Sequence, residues 1–415
     1  MQSLLILGRQ PALGLAELES LYGPDKVHPL LPAAALIDID PCILAYDRLG
    51  GSIKFCKVLA ELPVCDWTEI EKVLVKVSPK HSQSMPAGKL LLGISGYGFS
   101  ISAKQILSTA IKLKQAIRTT GRSVRVIPNK DPSLSSAQVI HNKLTSPNGW
   151  ELIIVKAGQH SIIAQTVKVQ DIAGYARRDQ ARPERDTRIG MLPPKLAQII
   201  INLAVGKLPA EAAQSICHTP PDQPIVKNHF NNTVILDPFC GTGVVLQEAL
   251  IMGYDCIGSD ISPRMVEATR NNIEWLRKLR PPLLHSHAKA LVMAGDAGKT
   301  KWPKPISLVA TETYLGKPLS AMSSAKMMQA IIDECDHLIR QFLINIASQL
   351  TAGSRLCLAV PCWIAGANFI HLPLLDSLEV IGYNRVSFKH ALNTDLIYYR
   401  NQQIVARELL VINVR

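Results

Sequence analysis

The run from Val234 to Val244 constrains the fold of this chain more than any other part of the sequence. It reads Val-Ile-Leu-Asp-Pro-Phe-Cys-Gly-Thr-Gly-Val, an apolar stretch that passes through two glycines into the helical pattern of residues 244–252. A buried strand, a glycine turn and a helix in direct succession are typical of a doubly wound α/β sheet, whose ligands bind at the carboxyl ends of the strands. We therefore predict a ligand site at this turn.

The spacing of the glycines indicates which ligand the turn takes. A dinucleotide site uses Gly-x-Gly-x-x-Gly, with the helix N–H groups facing a pyrophosphate. Here Leu246 stands where the third glycine would be. Asp237, at the end of the strand, is instead suited to accept hydrogen bonds from the amine of a cofactor, while Gly241 and Gly243 let the backbone approach it closely.

Acidic residues follow three predicted strands in this part of the chain. Asp237 ends the first strand, Asp260 follows a strand at 255–259, and Asp296 follows a strand at 291–294. A single aspartate at a strand end is more often a helix cap or a turn residue. Three in succession beside a glycine turn favour a ligand site, in which the second acid commonly binds ribose hydroxyls.

The remaining patterns predict four segments in the order α+β, α+β, linker and α/β. The first half alternates short strands with helices, and residues 171–190 are polar and rich in arginine, as in a linker whose arginines either touch phosphate or are simply solvated. Repeated strand, turn and helix patterns then predict a parallel doubly wound sheet. The predicted segments are 1–63, 64–170, 171–190 and 191–415.

Positive charge is concentrated in the second segment. The chain of 415 residues has a formal net charge of +12, and residues 72–130 hold eleven Lys or Arg and no Asp or Glu. An ordinary solvated surface mixes both signs, so this stretch favours a nucleic-acid surface over a merely basic soluble domain. The candidate RNA-binding residues are Lys104, Lys112, Lys114, Arg118, Arg122, Arg125 and Lys130.

The cysteine and apolar patterns favour a cytoplasmic protein without a metal or a membrane span. The nine cysteines are scattered and form no Cys-x-x-Cys pair, and no His-x-x-x-His or carboxylate cluster accompanies His81 or His141. Such a pattern argues against a disulfide framework and a zinc site. The start of the chain lacks a basic signal-peptide region, and no apolar run approaches the roughly 18 residues of a membrane helix.

Three motifs together resemble those of a known family. They are Asp237-Pro-Phe-Cys-Gly-Thr-Gly243, Ser259-Asp-Ile-Ser-Pro-Arg-Met265 and Gly295-Asp-Ala297. They are similar to motifs of class I S-adenosylmethionine-dependent methyltransferases, specifically the THUMP-domain tRNA guanosine-10 N2-methyltransferases. Residues 191–199 resemble that family's first catalytic-domain helix, and residues 7–18 and 396–408 extend the resemblance towards both ends of the chain.

The resemblance implies a ferredoxin-like domain, a THUMP domain that grips the acceptor end of tRNA, and a Rossmann-like domain that binds S-adenosylmethionine. Asp237 would hold the methionine part of the cofactor, Asp260 its ribose, and Asp296 with Ala297 its adenine. RNA, most plausibly tRNA, is the implied partner, and a small activating protein remains an open alternative. The implied cofactor residues are Asp237, Cys240, Gly241, Thr242, Gly243, Asp260, Ile261, Asp296 and Ala297.

The acceptor motif departs from the family pattern. Amino-group methyltransferases of this kind place Asp-Pro-Pro-Tyr after the fourth strand, where polar acceptors localise the lone pair of a conjugated amine. This chain has Thr311-Glu-Thr-Tyr314 there. Glu312 is the favoured amine acceptor and Tyr314 a base stacker, while an alignment on Tyr314 places Thr311 in the acidic position.

A DNA amino-methyltransferase remains possible, because adenine and cytosine amines need the same chemistry, although the THUMP-like half argues against it. Two further alternatives remain open at the level of sequence. One is an RNA-binding descendant with altered or lost catalysis, in which Glu312 caps a helix and Tyr314 is packed. The other is a cytosine C5 methyltransferase, because Cys362 follows the fifth predicted strand, where such enzymes carry a nucleophilic cysteine. Nothing near Cys362 in the sequence indicates a lowered thiol pKa.

Overall fold

The computed structural model divides the chain into two compact units. The first unit comprises residues 1–11, 25–47 and 52–172, and the second comprises residues 12–24, 48–51 and 173–415. The structure describes residues 2–30, 33–186, 191–208, 233–279, 288–303, 305–317, 319, 324–366, 368–400 and 403–415.

The first unit is built on one eight-stranded sheet, in the order β2-β3-β1-β4-β8-β7-β5-β6. The sequence predicts strands here at 3–7, 34–39, 52–59, 90–95, 123–127, 151–155 and 161–166, and the structure has a strand at each. It adds β2, which contains Pro29 and lies at the sheet edge, where a proline costs no ladder hydrogen bond. The strands are β1 (Ser3–Leu7), β2 (Val27–Leu30), β3 (Ala34–Ile37), β4 (Ser52–Leu62), β5 (Leu90–Tyr97), β6 (Val124–Val126), β7 (Gly149–Ala157) and β8 (His160–Val169). The helices of this unit are α2 (Trp67–Gln83), α3 (Ala103–Arg118) and α4 (Ser136–His141).

A buried polar network ties the two predicted N-terminal modules into this single sheet. Strand β4 pairs with β8, so the predicted ferredoxin-like and THUMP-like modules share one hydrogen-bonded ladder. Lys54 of β4 forms a fully buried ion pair with Glu151 of β7 and donates to the Leu134 carbonyl oxygen at 2.7 Å. Glu151 also accepts the Ser95 and Thr166 hydroxyls, each at 2.6 Å. Because both charges are paired and hydrogen-bonded, the network fixes the register of these strands.

The second unit contains a Rossmann-like sheet, as the sequence predicted. Strands β9 to β13 form parallel neighbours in the order β11-β10-β9-β12-β13, followed by antiparallel β17 and then β15. The strands are β9 (Val234–Asp237), β10 (Asp255–Asp260), β11 (Ala290–Ala294), β12 (Leu308–Glu312), β13 (Arg355–Ala365), β14 (Asn368–Ile370), β15 (Tyr383–Arg385), β16 (Ile397–Tyr398) and β17 (Val405–Val414). The strand order reverses between β9 and β12, so their carboxyl ends flank the crevice where such folds bind ligands.

Helices cover both faces of this second sheet. One apolar cluster packs α6 (Pro194–Val205) and α7 (Val244–Ile251) against one face of the sheet. A second cluster packs α9 (Ala325–Ala347) against the opposite face through residues such as Ile339 and Phe342. The helices are α1 (Pro11–Tyr22), α5 (Ile172–Gln180), α6 (Pro194–Val205), α7 (Val244–Ile251), α8 (Pro263–Lys278) and α9 (Ala325–Ala347). Within the described residues, no helix is both long and apolar enough to cross a membrane.

The sequence predicted a helix at residues 11–21 but not its place in this unit, and it predicted no helix in the segment 171–190. Helix α1 packs here through Glu17, which accepts the Gly50 and Gly51 amides at 2.9 and 2.8 Å and the Asn202 side chain at 2.8 Å. The segment predicted as a linker contains helix α5, whose Arg178 forms a buried ion pair with Glu248 at 2.7 Å. Arg178 is therefore not available to contact RNA phosphate.

Candidate active site

The glycine turn after β9 has the geometry of a ligand cradle. Gly241 and Gly243 both have positive φ, at +52° and +82°. A Cβ on Gly243 would lie 2.8 Å from Thr269 Cγ2, whereas a Cβ on Gly241 would meet only the Phe239 carbonyl oxygen at 4.0 Å. Gly243 is thus required by the packing beneath the turn, and Gly241 leaves open space above it for a ligand.

Two side chains of α8 hold this turn from below. Thr269 donates its hydroxyl to the Gly241 carbonyl at 2.7 Å, and Asn272 donates to the Thr242 carbonyl at 2.8 Å. Cys240 is buried with its Sγ 3.7 Å from the Thr269 hydroxyl, and burial raises the pKa of its thiol well above the usual value. Cys240 therefore acts as a small packing residue under the turn.

Asp237 is a buried acid with few hydrogen-bond donors. The Thr311 hydroxyl donates to its Oδ1 at 2.6 Å, and the Phe239 amide donates to the same oxygen at 3.3 Å. Burial raises the pKa of Asp237 to about 7, and neighbouring Asp260 and Glu312 add to the increase. A cationic amine beside this carboxyl would favour its ionised form.

Asp260 ends β10 next to the same turn. Its Oδ2 accepts the Gly241 amide at 3.0 Å and its Oδ1 accepts the Ser262 amide at 2.9 Å. A carboxylate oxygen has a second lone pair, so each can still accept a hydroxyl. The following residue, Ile261, is 75% exposed and presents a large apolar side chain beside the carboxylate.

The loop after β11 completes this side of the site. The Gly295 amide donates to the Asp260 carbonyl at 3.0 Å, which joins the two loops. Asp296 accepts the Gly298 amide at 2.9 Å, and Lys299 lies 3.3 Å from its second oxygen. Ala297 is buried, and its carbonyl accepts the Asn345 side chain at 2.9 Å. The structure therefore brings together the loops that carry the three predicted cofactor acids.

Glu312, at the end of β12, is the acid of the predicted acceptor motif. Its side chain is 19% exposed and forms an ion pair with Arg407 Nε of β17. Burial raises the pKa of Glu312, whereas the adjacent Arg407 guanidinium opposes that increase. Thr311 is fully buried and its hydroxyl is engaged by Asp237. Of Thr311 and Glu312, only Glu312 therefore has a partly accessible polar group.

The other two predicted chemical residues lie in different surroundings. Tyr314 is half-buried and packs against the apolar cluster around α9; burial and neighbouring Glu334 raise the pKa of its phenol. Cys362 is fully buried on β13, where it packs against Ile397 and Ala406. Burial, with Glu408 nearby, also strongly raises the pKa of its thiol. A nucleophilic cysteine needs a thiolate and access to the base, so the structure does not support the C5 alternative.

Sequence comparison finds relatives for part of the chain, although no protein-family model matches it. The tRNA (guanine(10)-N2)-dimethyltransferase of Methanothermobacter thermautotrophicus is 28% identical over 188 residues, 45% of this chain and 44% of the relative. The enzyme of the same name from Methanocaldococcus jannaschii is 35% identical over 85 residues, 20% of this chain and 18% of the relative. Over these residues the chain is homologous to tRNA (guanine(10)-N2)-dimethyltransferases.

The resemblance drawn from the motifs is thus confirmed over the matched residues. The chain spans less than half the length of either relative, at 44% and 18%. Among solved structures, TrmN from Thermus thermophilus is 13% identical with a TM-score of 0.48, and the match covers 100% of both chains. A possible methylase from Clostridium difficile 630 is 11% identical with a TM-score of 0.48, covering 99% of this chain and 97% of that chain.

Four of the seven predicted RNA-binding residues meet in the first unit. They line an open cleft of about 600 Å³ together with Lys89, which lies in the same basic stretch but was not among the candidates. The four are Lys114, Arg118, Arg122 and Arg125.

The other basic residues have different positions. Lys104 and Lys130 are exposed but do not line the cleft. Lys112 is paired with Glu71 at 2.5 Å. Arg122 lines the cleft but also donates to the carbonyl oxygens of Pro86 at 2.6 Å and Gly88 at 3.2 Å, so it is partly a structural residue.

Sequence reasoning missed Arg407 and the two turn-holding residues of α8. Arg407 and Glu408 interrupt the apolar sequence of β17, and a charged pair inside a buried strand is the signal that would have found them. Thr269 and Asn272 lie one turn apart on α8, which gives them one face of the helix. Within the described residues, no group of three or more His, Cys, Asp or Glu is placed to hold a metal ion.

Proposed function

We propose that this protein transfers a methyl group from S-adenosylmethionine to the exocyclic N2 amine of a guanosine in tRNA. One observation carries the proposal: the acid that suits the cofactor amine and the acid that suits the acceptor amine lie on neighbouring strands at the switch point. Thr311 links them, because it is bonded to Asp237 at 2.6 Å and precedes Glu312 in the chain. The homology to tRNA (guanine(10)-N2)-dimethyltransferases supports the choice of acceptor.

The residues of the cofactor side fit S-adenosylmethionine. The buried Asp237 carboxyl suits its ammonium group, and the space over Gly241 admits the methionine chain. Asp260 retains acceptor capacity for two ribose hydroxyls. The exposed Ile261 side chain offers an apolar surface to adenine, with Asp296 and Ala297 as its polar partners. These acidic side chains suit a ligand that carries both an amino-acid amine and ribose hydroxyls, and they do not suit the pyrophosphate of a dinucleotide.

The acceptor chemistry follows from the position of Glu312. When bound, S-adenosylmethionine supplies a methyl group whose bond to sulfur breaks as the N2 lone pair forms the new bond, leaving S-adenosylhomocysteine. The Glu312 carboxylate accepts a hydrogen bond from N2–H, which directs the lone pair towards the methyl carbon. Glu312 then takes the displaced N2 proton and releases it to water. Burial raises the pKa of Glu312, which suits a group that holds this proton briefly.

The first unit supplies affinity for tRNA in this proposal. Its open basic cleft, with Lys89, Lys114, Arg118 and Arg125, is suited to successive phosphates. We propose a THUMP-like role for this unit and a cytoplasmic location, where tRNA is found. A small activating protein is a further proposed partner, to be sought by co-purification.

Methyl transfer into bulk tRNA tests the proposal. With tritiated S-adenosylmethionine, the wild type should label tRNA, and Glu312→Gln should lower kcat by about 100-fold or more. Binding of S-adenosylmethionine, measured by calorimetry, should be unchanged in that variant. Glu267→Gln serves as the matched control, since Glu267 is an exposed acid on α8, and it should leave both measurements unchanged.

Each other outcome has a distinct meaning. Cofactor binding without transfer to any tRNA would contradict the proposal and favour the RNA-binding alternative with lost catalysis. Undiminished transfer by Glu312→Gln would remove Glu312 from the acceptor role. Loss of transfer in Cys362→Ser, with cofactor binding intact, would restore the C5 mechanism despite the burial of that thiol.

A further inference from the structure

Arg407 has an unused set of donors beside the acceptor acid. Its side chain is only 5% exposed, and its Nε pairs with Glu312. Within the described part of the chain, its two Nη groups form no hydrogen bond. A guanidinium carries five N–H donors, and its planar fork suits more than one acceptor at a time. The Nη donors are therefore available to an acceptor that binds beside Glu312.

The strand register places this guanidinium next to the acceptor position. Strand β13 lies between β12 and β17, with Glu312 opposite Ala359 and Pro361 opposite Arg407. Arg407 thus reaches Glu312 across a single strand. The neighbouring acid, Glu408, is already engaged by Arg385 at 2.7 Å and His371 at 2.5 Å. Glu408 therefore does not compete for the Arg407 donors.

The pair of side chains matches one base edge. Guanine presents O6 as an acceptor and N1–H and N2–H as donors along its Watson–Crick edge. O6 is an acceptor to which arginine commonly donates, in the major groove together with N7. A guanidinium beside a carboxylate matches this edge, because the guanidinium can donate to O6 while the carboxylate accepts from N2–H. Adenine carries an amine where guanine has O6, so the guanidinium would meet donors instead of an acceptor.

We propose that Arg407 is a specificity-determining residue that donates from its Nη groups to O6 of the target guanine while Glu312 accepts from N2–H. The ion pair with Glu312 also positions that carboxylate beside the base edge. This inference rests on the proposed function. It adds that the choice of guanine depends on a residue outside the acceptor motif.

Replacing the oxygen of the target base tests the contact directly. The probe is tRNA in which the methylated guanosine, located by nucleoside mapping, is replaced by 2,6-diaminopurine. This base keeps the N2 amine, exchanges O6 for an amine and turns the N1–H donor into an acceptor, so the comparison of wild type with the Arg407 variant isolates the contact to position 6. The wild type should prefer guanine by about ten- to a hundredfold in kcat/KM. Arg407→Met should lower kcat/KM for guanine and bring the preference close to one.

Matched variants separate this role from a structural one. Arg277→Met changes an exposed arginine on α8 and should leave the preference unchanged. Calorimetry with S-adenosylmethionine should give wild-type affinity for Arg407→Met, which shows that the fold is intact. If that variant loses cofactor binding, Arg407→Lys carries the test, and it should show a reduced but not abolished preference because lysine donates from a single point.

The outcomes distinguish the two proposals. A wild type that labels guanosine but not 2,6-diaminopurine, together with an Arg407→Met variant that keeps the wild-type preference for guanosine, would overturn the role of Arg407 alone. A wild type without preference would overturn it as well. A wild type that methylates no guanosine in any tRNA would overturn the proposed function and this inference together.

Discussion

Asp237 is the residue whose protonation most affects cofactor binding in this account. It is buried, among the described residues it accepts only the Thr311 hydroxyl and the Phe239 amide, and its pKa is raised to about 7. An acid in that state is partly protonated at neutral pH. Binding a cationic amine requires the ionised form, so protonation of Asp237 and cofactor binding oppose each other.

The first prediction concerns the pH dependence of cofactor affinity. Because the pKa of free Asp237 is about 7, affinity for S-adenosylmethionine should fall about eightfold between pH 7.5 and pH 6. Calorimetry in buffers of different ionisation enthalpy should also detect proton release on binding near pH 6. Asp237→Asn should bind more weakly and without this pH dependence. A wild-type affinity that is constant over this range would contradict the assigned role.

The second prediction concerns Thr311. Its hydroxyl stabilises the Asp237 carboxylate, so Thr311→Val should raise the pKa of Asp237 and shift the fall in affinity to higher pH. Thr311→Ser keeps the hydroxyl and is the matched control. Equal pH profiles for the valine and serine variants would show that the hydroxyl does not act through Asp237.

At the scale of elements, α5 and α8 are tied to the structure around the glycine turn. Arg178 of α5 pairs with buried Glu248 of α7, and Gln198 of α6 donates to the same carboxylate at 3.1 Å. Asn272 of α8 bonds both the Thr242 carbonyl and the Glu184 carbonyl, at 2.8 and 3.0 Å. The helix that follows the turn is thereby held by residues of α5 and α6, and the turn itself by a residue of α8.

The third prediction follows from the buried pair of α5 and α7. Arg178→Met leaves the Glu248 carboxylate buried without its cation, which should lower the free energy of unfolding by about 3 to 5 kcal/mol. Urea denaturation, with the loss of cofactor binding as the signal for unfolding, measures this change in free energy. Arg177→Met, on the exposed side of the same helix, should change stability by less than about 1 kcal/mol. Equal effects of the two substitutions would contradict the role assigned to the ion pair.

At the scale of the whole molecule, charge is distributed unevenly along a chain of net +12. The basic stretch contributes an open cleft in the first unit, whereas the acids of the proposed reaction lie in the second. Binding of RNA phosphates to such a cleft releases counterions and is sensitive to salt. Affinity for tRNA and transfer chemistry should therefore respond to different substitutions.

The fourth prediction separates the cleft from the rest of the basic surface. Arg118→Ala with Arg125→Ala should weaken tRNA binding and reduce the slope of log affinity against log salt by about one for each phosphate that is no longer neutralised. Lys104→Ala, a basic change outside the cleft, should alter the slope much less. Filter binding between 50 and 200 mM salt is suited to the measurement. Equal slope changes would mean that the cleft is not the RNA surface.

Local patterns in the sequence predicted more of the fold than of the candidate site. The strands and the glycine turn of the second unit follow from apolar runs and turn residues, which act over a few positions. The pairing of β4 with β8 and the placement of α1 depend on contacts between distant residues, such as Glu17 with Asn202. The ion pair between Glu312 and Arg407 depends on how β12, β13 and β17 pair, and the sequence of the acceptor motif gives no information about that pairing.

Nucleoside mass spectrometry of tRNA incubated with this protein and S-adenosylmethionine identifies the base atom that receives the methyl group. We expect N2-methylated guanosine to appear with the wild type, and we expect Asp237→Asn and Glu312→Gln to reduce it strongly. Methylated cytosine, methylated adenosine or no new nucleoside, from a protein that binds the cofactor, would contradict this expectation.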